Sequence, residues 1–255
     1  MLTLPFEVAN PIAQPVYPTQ LIRGIPGMTD WWTTQQSETF FGSDARRRVR
    51  ARMGSRLLQP SASTDIPFEV MTTSGGISRS PSKFAGVTSD AFWRCDGIAF
   101  GSAWNSVVCI GRGTPGVTGI EDWAILFPTP NLHMYSSPHR TASSGAIWTD
   151  GGQSVAGAQA PAGQIFCEVI AFNLTTGQVK RSMNFQTTPD SATFSDMVAV
   201  GAQSGNLKVG AKQNNQPYDG YIFDAGLAVG SDLLASTVTA ANLRAYVQAL
   251  YGVAL

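Results

Sequence analysis

The chain predicts an all-β fold, a sandwich of the jelly-roll kind closed by one C-terminal helix. Three observations carry this reading. Short apolar segments recur between turns rich in Gly, Pro and Asn. Gly at 26 and Pro at 15 favour many turns over long helices. One stretch alone, 239–251, carries the apolar spacing of an amphipathic helix. At 255 residues the chain is long enough to bury a full core, and all-β domains of this size often stay single.

Residues 1–27 carry Pro5, Pro11, Pro15, Pro18 and Pro26. Each Pro fixes φ and removes a backbone donor, so this segment reads as an extended arm rather than a helix or a central strand. Phe6, Val8, Ile12, Val16 and Tyr17 are spread along it, more apolar surface than a solvated linker needs. Either the arm wraps its own domain or it docks on a neighbouring subunit. The body of the domain is then 28–255.

Within 44–53, Arg46, Arg48, Arg50 and Arg52 share one parity, and Arg47, Val49, Ala51 and Met53 share the other. Period two means a strand with guanidinium groups along one face. Four such groups are solvated, or they meet an acidic surface on another subunit or an anionic glycan, because an unpaired buried charge is very costly. Strands follow at 97–100, 106–110, 123–127, 131–135 and 146–149. A hairpin spans 165–185, turning through Asn173-Leu174-Thr175-Thr176-Gly177. The run Met197-Val198-Ala199-Val200-Gly201-Ala202 reads as a further strand. Those at 207–211 and 218–229 complete the set. In the helix, Leu243, Tyr246, Val247 and Leu250 form one stripe, with Thr239 as the N-cap and Gly252 as the C-terminal cap.

The order of these parts resembles a known family. Strands, then Asp219-Gly220 leading into Tyr221-Ile222-Phe223, then one terminal helix ending Tyr251-Gly252, are similar to the C-terminal end of laminin-G-like, concanavalin A-like jelly rolls of tailed-phage or gene-transfer-agent-like virions. Trp31, the Asp44 loop, the Arg/Val strand, Gly75-Gly76-Ile77 and Phe84-Ala85-Gly86 resemble the opening of the same domains. The resemblance covers most of 28–255. It implies a binding or structural module, such as a decoration, spike or tail-fibre component, that assembles in the host cytoplasm and binds host carbohydrate. The same fold also hosts lectins and some hydrolases.

Composition narrows the partners. Net charge is zero and 13% of residues are charged, against about 25% in ordinary domains. Steering toward nucleic acid or an anionic membrane gets no support. No run approaches the ~20 apolar residues of a membrane helix, and Met1-Leu2-Thr3-Leu4-Pro5 lacks the basic start of a secretory leader. Cys95, Cys109 and Cys167 form an odd set without CxxC spacing, so buried thiols are expected rather than disulfides or a zinc site.

Catalytic patterns fail on spacing. Jelly-roll glycosidases need two acids flanking one bond, but Glu121-Asp122 are neighbours and point to opposite faces. Gly111-Arg112-Gly113-Thr114-Pro115-Gly116 matches GxGxxG, yet Pro115 leaves no helix after it, so it reads as a Gly-rich turn. Gly152-Gln153-Ser154 is only part of a nucleophile elbow, and His133 and His139 both precede the serine. No enzyme activity, metal or cofactor is expected.

One cluster remains. His133, Tyr135, His139, Arg140, Trp148 and Asp150 lie close together on strand ends and loops. Sugar binding needs an aromatic plate and planar polar groups, and this set offers both. The competing reading is ordinary packing, since aromatic residues are usually buried. The sequence thus predicts a non-enzymatic virion protein, homo-oligomeric and anchored to other virion proteins through its arm. A free-standing lectin is the alternative, and a glycosidase the second.

Overall fold

The computed structural model describes residues 18–61, 66–84, 92–117, 123–139, 145–210 and 218–255. The chain enters on helix α1 (Pro18–Arg23). It continues through β1 (Asp30–Thr33), β2 (Thr39–Phe41), β3 (Arg47–Arg50), β4 (Leu57–Pro60), β5 (Met71–Thr72), β6 (Ser78–Arg79) and β7 (Ser82–Lys83). Then come β8 (Trp93–Phe100), β9 (Trp104–Gly113), β10 (Trp123–Phe127), β11 (Leu132–Ser137), β12 (Gly145–Thr149) and β13 (Ser154–Gly157). The hairpin β14 (Phe166–Asn173) and β15 (Gln178–Met183) leads to β16 (Asp190–Thr193) and a single-turn helix α2 (Ser195–Val198). β17 (Gln203–Val209), β18 (Gly220–Val229) and helix α3 (Thr237–Tyr251) end the fold.

The strands form two large antiparallel sheets. A nine-stranded sheet runs β13-β12-β11-β10-β17-β8-β4-β3-β2, and a seven-stranded sheet runs β1-β18-β9-β14-β15-β16 with β7 also on β18. The chain passes repeatedly between the two sheets, directly at β1 to β2, β7 to β8, β8 to β9, β9 to β10, β13 to β14, β16 to β17 and β17 to β18, as a jelly roll requires. The expected all-β jelly-roll sandwich is therefore present.

Strand parity builds two cores. Val107, Cys109, Phe166, Ile170, Phe172 and Leu227 of the seven-stranded sheet face the nine-stranded sheet and meet Ile125, Phe127, Met134 and Leu207. Val108, Ile110, Cys167, Val169, Phe223 and Ala228 face the other way and meet Leu243, Val247 and Tyr251 of α3. A buried ion pair on the seven-stranded sheet faces the first core: Arg181 Nε donates to Glu168 Oε1 at 2.6 Å, both side chains being fully buried. Ser136 Oγ and Trp123 Nε1, from the opposing sheet, donate to Glu168 Oε2 at 2.6 and 3.2 Å.

The second core holds a buried acid. A bulge in β18 between Ile222 and Asp224 turns Phe223 and Asp224 both toward the helix. Tyr246 donates to Asp224 Oδ1 at 3.1 Å, Tyr251 donates to Asp224 Oδ2, and Trp31 Nε1 donates to the Tyr246 hydroxyl at 3.1 Å. Burial pushes the Asp224 carboxyl up from 3.8 to about 6, against the opposing pull of the tyrosine hydrogen bonds.

Several expectations need correction. Residues 18–27 are not an extended arm: Pro18 opens α1, where a missing N–H costs nothing, and Ile22 and Ile25 bury against the α3 layer. Residues 1–17, with Phe6, Val8, Ile12, Val16 and Tyr17, lie outside the described residues. Met197 and Val198 are in α2 rather than a strand; Met197 and Val200 reach the core from consecutive turns of chain. The N-cap of α3 is Ser236, not Thr239, which lies buried in the first turn. Gly252 does cap the other end, at φ 65°. Gly111 and Gly113 end strand β9, where rings pack over them, so the expected Gly-rich turn is confined to Thr114–Val117, with Gly116 at φ 80°. An added Cβ would lie 2.8 Å from Phe166 and 2.5 Å from His139.

Two predictions follow from the helix layer. Ile22→Ala should cost about 2–5 kcal/mol and lower the melting temperature by several degrees; an unchanged melting temperature would detach α1 from the fold. Asp224 holds its proton in the folded state at pH values where the unfolded chain has released it. Its stabilising contribution is present below pH ~4 and fades as pH rises through about 6. The stability of Asp224→Asn relative to the native chain should rise by about 2 kcal/mol between pH 4 and pH 7 in urea titrations; a flat or falling difference would contradict this.

Candidate functional site

The inter-sheet core takes one parity of each strand in the nine-stranded sheet. The other parity makes an outer face. Cross-strand register lines up Ser154, Trp148, Tyr135, Ala124, Lys208, Arg94 and Gln59 in one row over β13, β12, β11, β10, β17, β8 and β4. In the next row Leu126 pairs with both His133 and Asn206. Met134, Ile147 and Leu207, at the intervening positions, belong to the core.

His133, Tyr135, Trp148 and Asp150 come together on this face. The His133 and Tyr135 rings stack at 5.7 Å with planes 6° apart, and Tyr135 meets Trp148 at 5.8 Å, tilted by 41°. Asp150 organises them. Its Oδ2 lies 2.7 Å from His133 Nδ1, and its Oδ1 accepts from the Tyr135 hydroxyl. The backbone N–H of Asp150 also donates to the His133 carbonyl at 3.1 Å. Desolvation lowers the His133 pKa, and the bond to Asp150 offsets this only in part. At neutral pH the ring is uncharged, with the Nδ1–H donated to Asp150 and Nε2 left as an acceptor.

Exposure divides the four by role. His133 and Tyr135 are buried, so they fix the Asp150 carboxylate rather than reach a ligand. Trp148 is half-buried and Asp150 is exposed, so these two present an aromatic surface and a carboxylate to solvent. Lys208 lies across Ala124 in the same row, its ammonium 5.3 Å from the Phe92 ring centroid. Burial, then Arg94, lowers its pKa, while Asp150 and Asp96 raise it. Arg94 pairs with Asp96 at 3.0 Å. Sequence reasoning missed Lys208, Arg94 and Asn206. The alternation of Asn206 and Lys208 with Leu207 and Val209 is the signal that could have found them.

The other two expected members are not there. His139 lies beyond the end of β11, buried against Phe166 at 6.4 Å. Desolvation lowers its pKa, with Glu168 and Arg181 acting on it in opposite senses, so it belongs to the packed interior. The turn at Pro138 breaks the parity that would have kept it beside His133 and Tyr135. Arg140 lies outside the described residues, as do Glu121 and Asp122. Among the described residues no group of three His, Cys, Asp or Glu converges as a metal site.

The arginine strand is β3, paired with β2 at the sheet edge. Arg48 pairs with Asp44 at 3.0 Å and Arg52 with Glu38. Arg50 lies 5.1 Å from the Phe40 ring centroid, and Arg46 is exposed. These groups find water and local partners rather than a buried network. Replacing Arg48 and Arg50 by Glu should therefore change unfolding free energy by no more than about 1 kcal/mol. A loss of several kcal/mol in chemical denaturation would place them in a structural network.

No family model matches the chain, and no curated protein sequence does. Solved structures are similar in fold. Domain 4 of AbnA, a GH43 extracellular arabinanase from Geobacillus stearothermophilus in complex with arabinotriose, superposes with a TM-score of 0.55 at 16% identity. The match covers 83% of this chain and 96% of that one. An arabinofuranosidase complexed with arabinofuranosyl-alpha-1,2-xylobiose gives 0.56 at 11% identity, covering 90% of this chain and 65% of that one. At these identities the likeness establishes the fold alone: this chain is a jelly-roll sandwich.

Proposed function

We propose that the chain is a non-catalytic carbohydrate-binding jelly roll whose binding face is the outer face of the nine-stranded sheet. The observation that carries the proposal is the pairing of Trp148 with the Asp150 carboxylate. That carboxylate is held from behind by His133 and Tyr135. A Trp surface takes the C–H face of a pyranose or furanose ring, and a fixed carboxylate accepts from two ring hydroxyls. Lys208 adds a donor on the same row. A site preorganised this way loses little side-chain entropy on binding.

The acids nearby support binding rather than hydrolysis. Glu168 is committed to Arg181 inside the sandwich, and Asp196 accepts from the Thr149 hydroxyl at the strand end. A glycosidase needs two carboxyls about 5–10 Å apart with a ring between them. The biological setting we propose is the exterior of a phage-like particle, with residues 1–17 joining other virion proteins and the chain assembling as a homo-oligomer. That part rests on the sequence resemblance and on the apolar content of 1–17.

The test is a glycan array on the full chain, with arabinotriose among the probes because one structural neighbour carries it. Binding to at least one oligosaccharide is expected. Trp148→Ala should weaken it at least about tenfold while the melting temperature moves little. An array with no bound glycan defeats the binding proposal, and release of shortened sugars defeats the non-catalytic part. Washed virions lacking the protein would defeat the particle setting.

A further inference from the structure

A second site lies on the opposite side of the molecule, where the amino end of α3 meets the helix-bearing face of the seven-stranded sheet. A cavity of about 330 Å³ opens there, lined among others by Ser182, Phe185, Gln186, Ser236, Thr239 and Arg244. Four features make it more than a packing gap. α3 runs for fifteen residues and starts without an acidic residue in its first turn and without a side-chain cap from Ser236. Its first N–H groups and the positive end of its dipole therefore lack an anionic partner from the first turn. Thr239 is 2% exposed, and its hydroxyl has no hydrogen-bond partner. Gln186 Oε1 is a buried acceptor, also without a partner, while its Nε2 donates to the Thr188 carbonyl at 2.9 Å. Arg244 is held at the rim by a 3.0 Å bond to the Phe185 carbonyl, its guanidinium 5.0 Å from the Phe185 ring centroid.

Charge and hydrogen-bond capacity together define what fits. The closest acid in sequence, Asp232, is engaged with Lys180 at 2.6 Å and with the Leu234 N–H at 3.0 Å. The cavity is left with a guanidinium and a helix start, which favour an anion. Buried polar groups in native structures are almost always partnered, so Thr239 and Gln186 point to a ligand that brings its own donors and acceptors. Phosphate or sulfate meets the first requirement but gives Gln186 Oε1 little to accept. A neutral sugar meets the second but not the first.

We propose that this cavity binds a hydroxylated carboxylate of monosaccharide size, a sugar acid. Its carboxylate meets the start of α3 and Arg244, and its hydroxyls meet Thr239 Oγ1 and Gln186 Oε1. The site shares no residue with the Trp148 face and does not rest on the function proposed for it.

Calorimetric titration of the full chain with D-glucuronate, D-galacturonate, D-glucose and inorganic phosphate tests this. At least one uronate should saturate, glucose should not bind, and phosphate should bind more weakly than that uronate. Thr239→Val should weaken uronate binding roughly tenfold. Without ligand its melting temperature should be unchanged or higher, because an unpartnered buried hydroxyl gives the empty protein no bond to lose. Gln186→Leu should also weaken uronate binding, at the cost of the Nε2 bond to the Thr188 carbonyl, and Arg244→Ala should weaken binding with folding intact. Trp148→Ala should leave uronate binding unaltered, which separates this site from the glycan face. The proposal is overturned if neither uronate saturates, if glucose or phosphate binds as tightly, or if both Thr239→Val and Gln186→Leu bind like the native chain.

Discussion

The architecture depends on one constraint: the seven-stranded sheet is apolar on both faces and needs two covers. β9, β14 and β18 are buried nearly throughout. One parity of their side chains packs under the nine-stranded sheet and the other under α3 and α1. Burial of this much apolar surface dominates the folding free energy, at roughly 25 cal/mol for each Å² removed from water. A two-layer sandwich would leave Val108, Ile110, Cys167 and Val169 wet. The terminal helix and the short helix at Pro18–Arg23 are therefore parts of the core rather than appendages.

The same constraint decides where ligands can bind. The middle sheet has no free face, so the surfaces left open are the outer face of the nine-stranded sheet and the seams of the helix layer. The two acids buried in the cores are tied to specific partners. Glu168 receives bonds from Arg181 on its own sheet and from Ser136 and Trp123 on the other. A buried pair of this kind adds little net stability against an apolar replacement, but it strongly disfavours any register that leaves one charge alone. Asp224 plays the corresponding part in the second core, joining the sheet to both tyrosines of α3.

Much of the architecture was legible in the sequence because burial on one parity writes itself as alternation. Strand segments at 97–100, 106–110, 123–127 and 146–149 lie inside β8, β9, β10 and β12, and Asn173 to Gly177 forms the expected turn with Gly177 at φ 72°. The stripe of α3 was legible from its period. The failures have physical causes. Five prolines in 1–27 favour an extended arm, but Pro18 stands at the first position of α1, which tolerates it. Met197 to Ala202 looked like a strand by composition, but length and burial favour one helical turn. The site was half legible: His133 and Tyr135 share a parity, which survives folding, whereas His139 follows a turn that resets it. Asp224 stood alone in an apolar strand, a visible sign of a buried acid, but the bulge that aims it at the helix has no sequence signature in this chain.

Native-state hydrogen exchange on the full chain tests the double-faced middle sheet most directly. Amides of β9, β14 and β18 should exchange only through global unfolding, and α3 should approach the same limit because it covers the second face. The edge strands β2 and β13 should exchange through smaller, local openings. Fast local exchange in α3 alongside a fully protected sheet would contradict the account. It would mean that the second apolar face is stable without its cover.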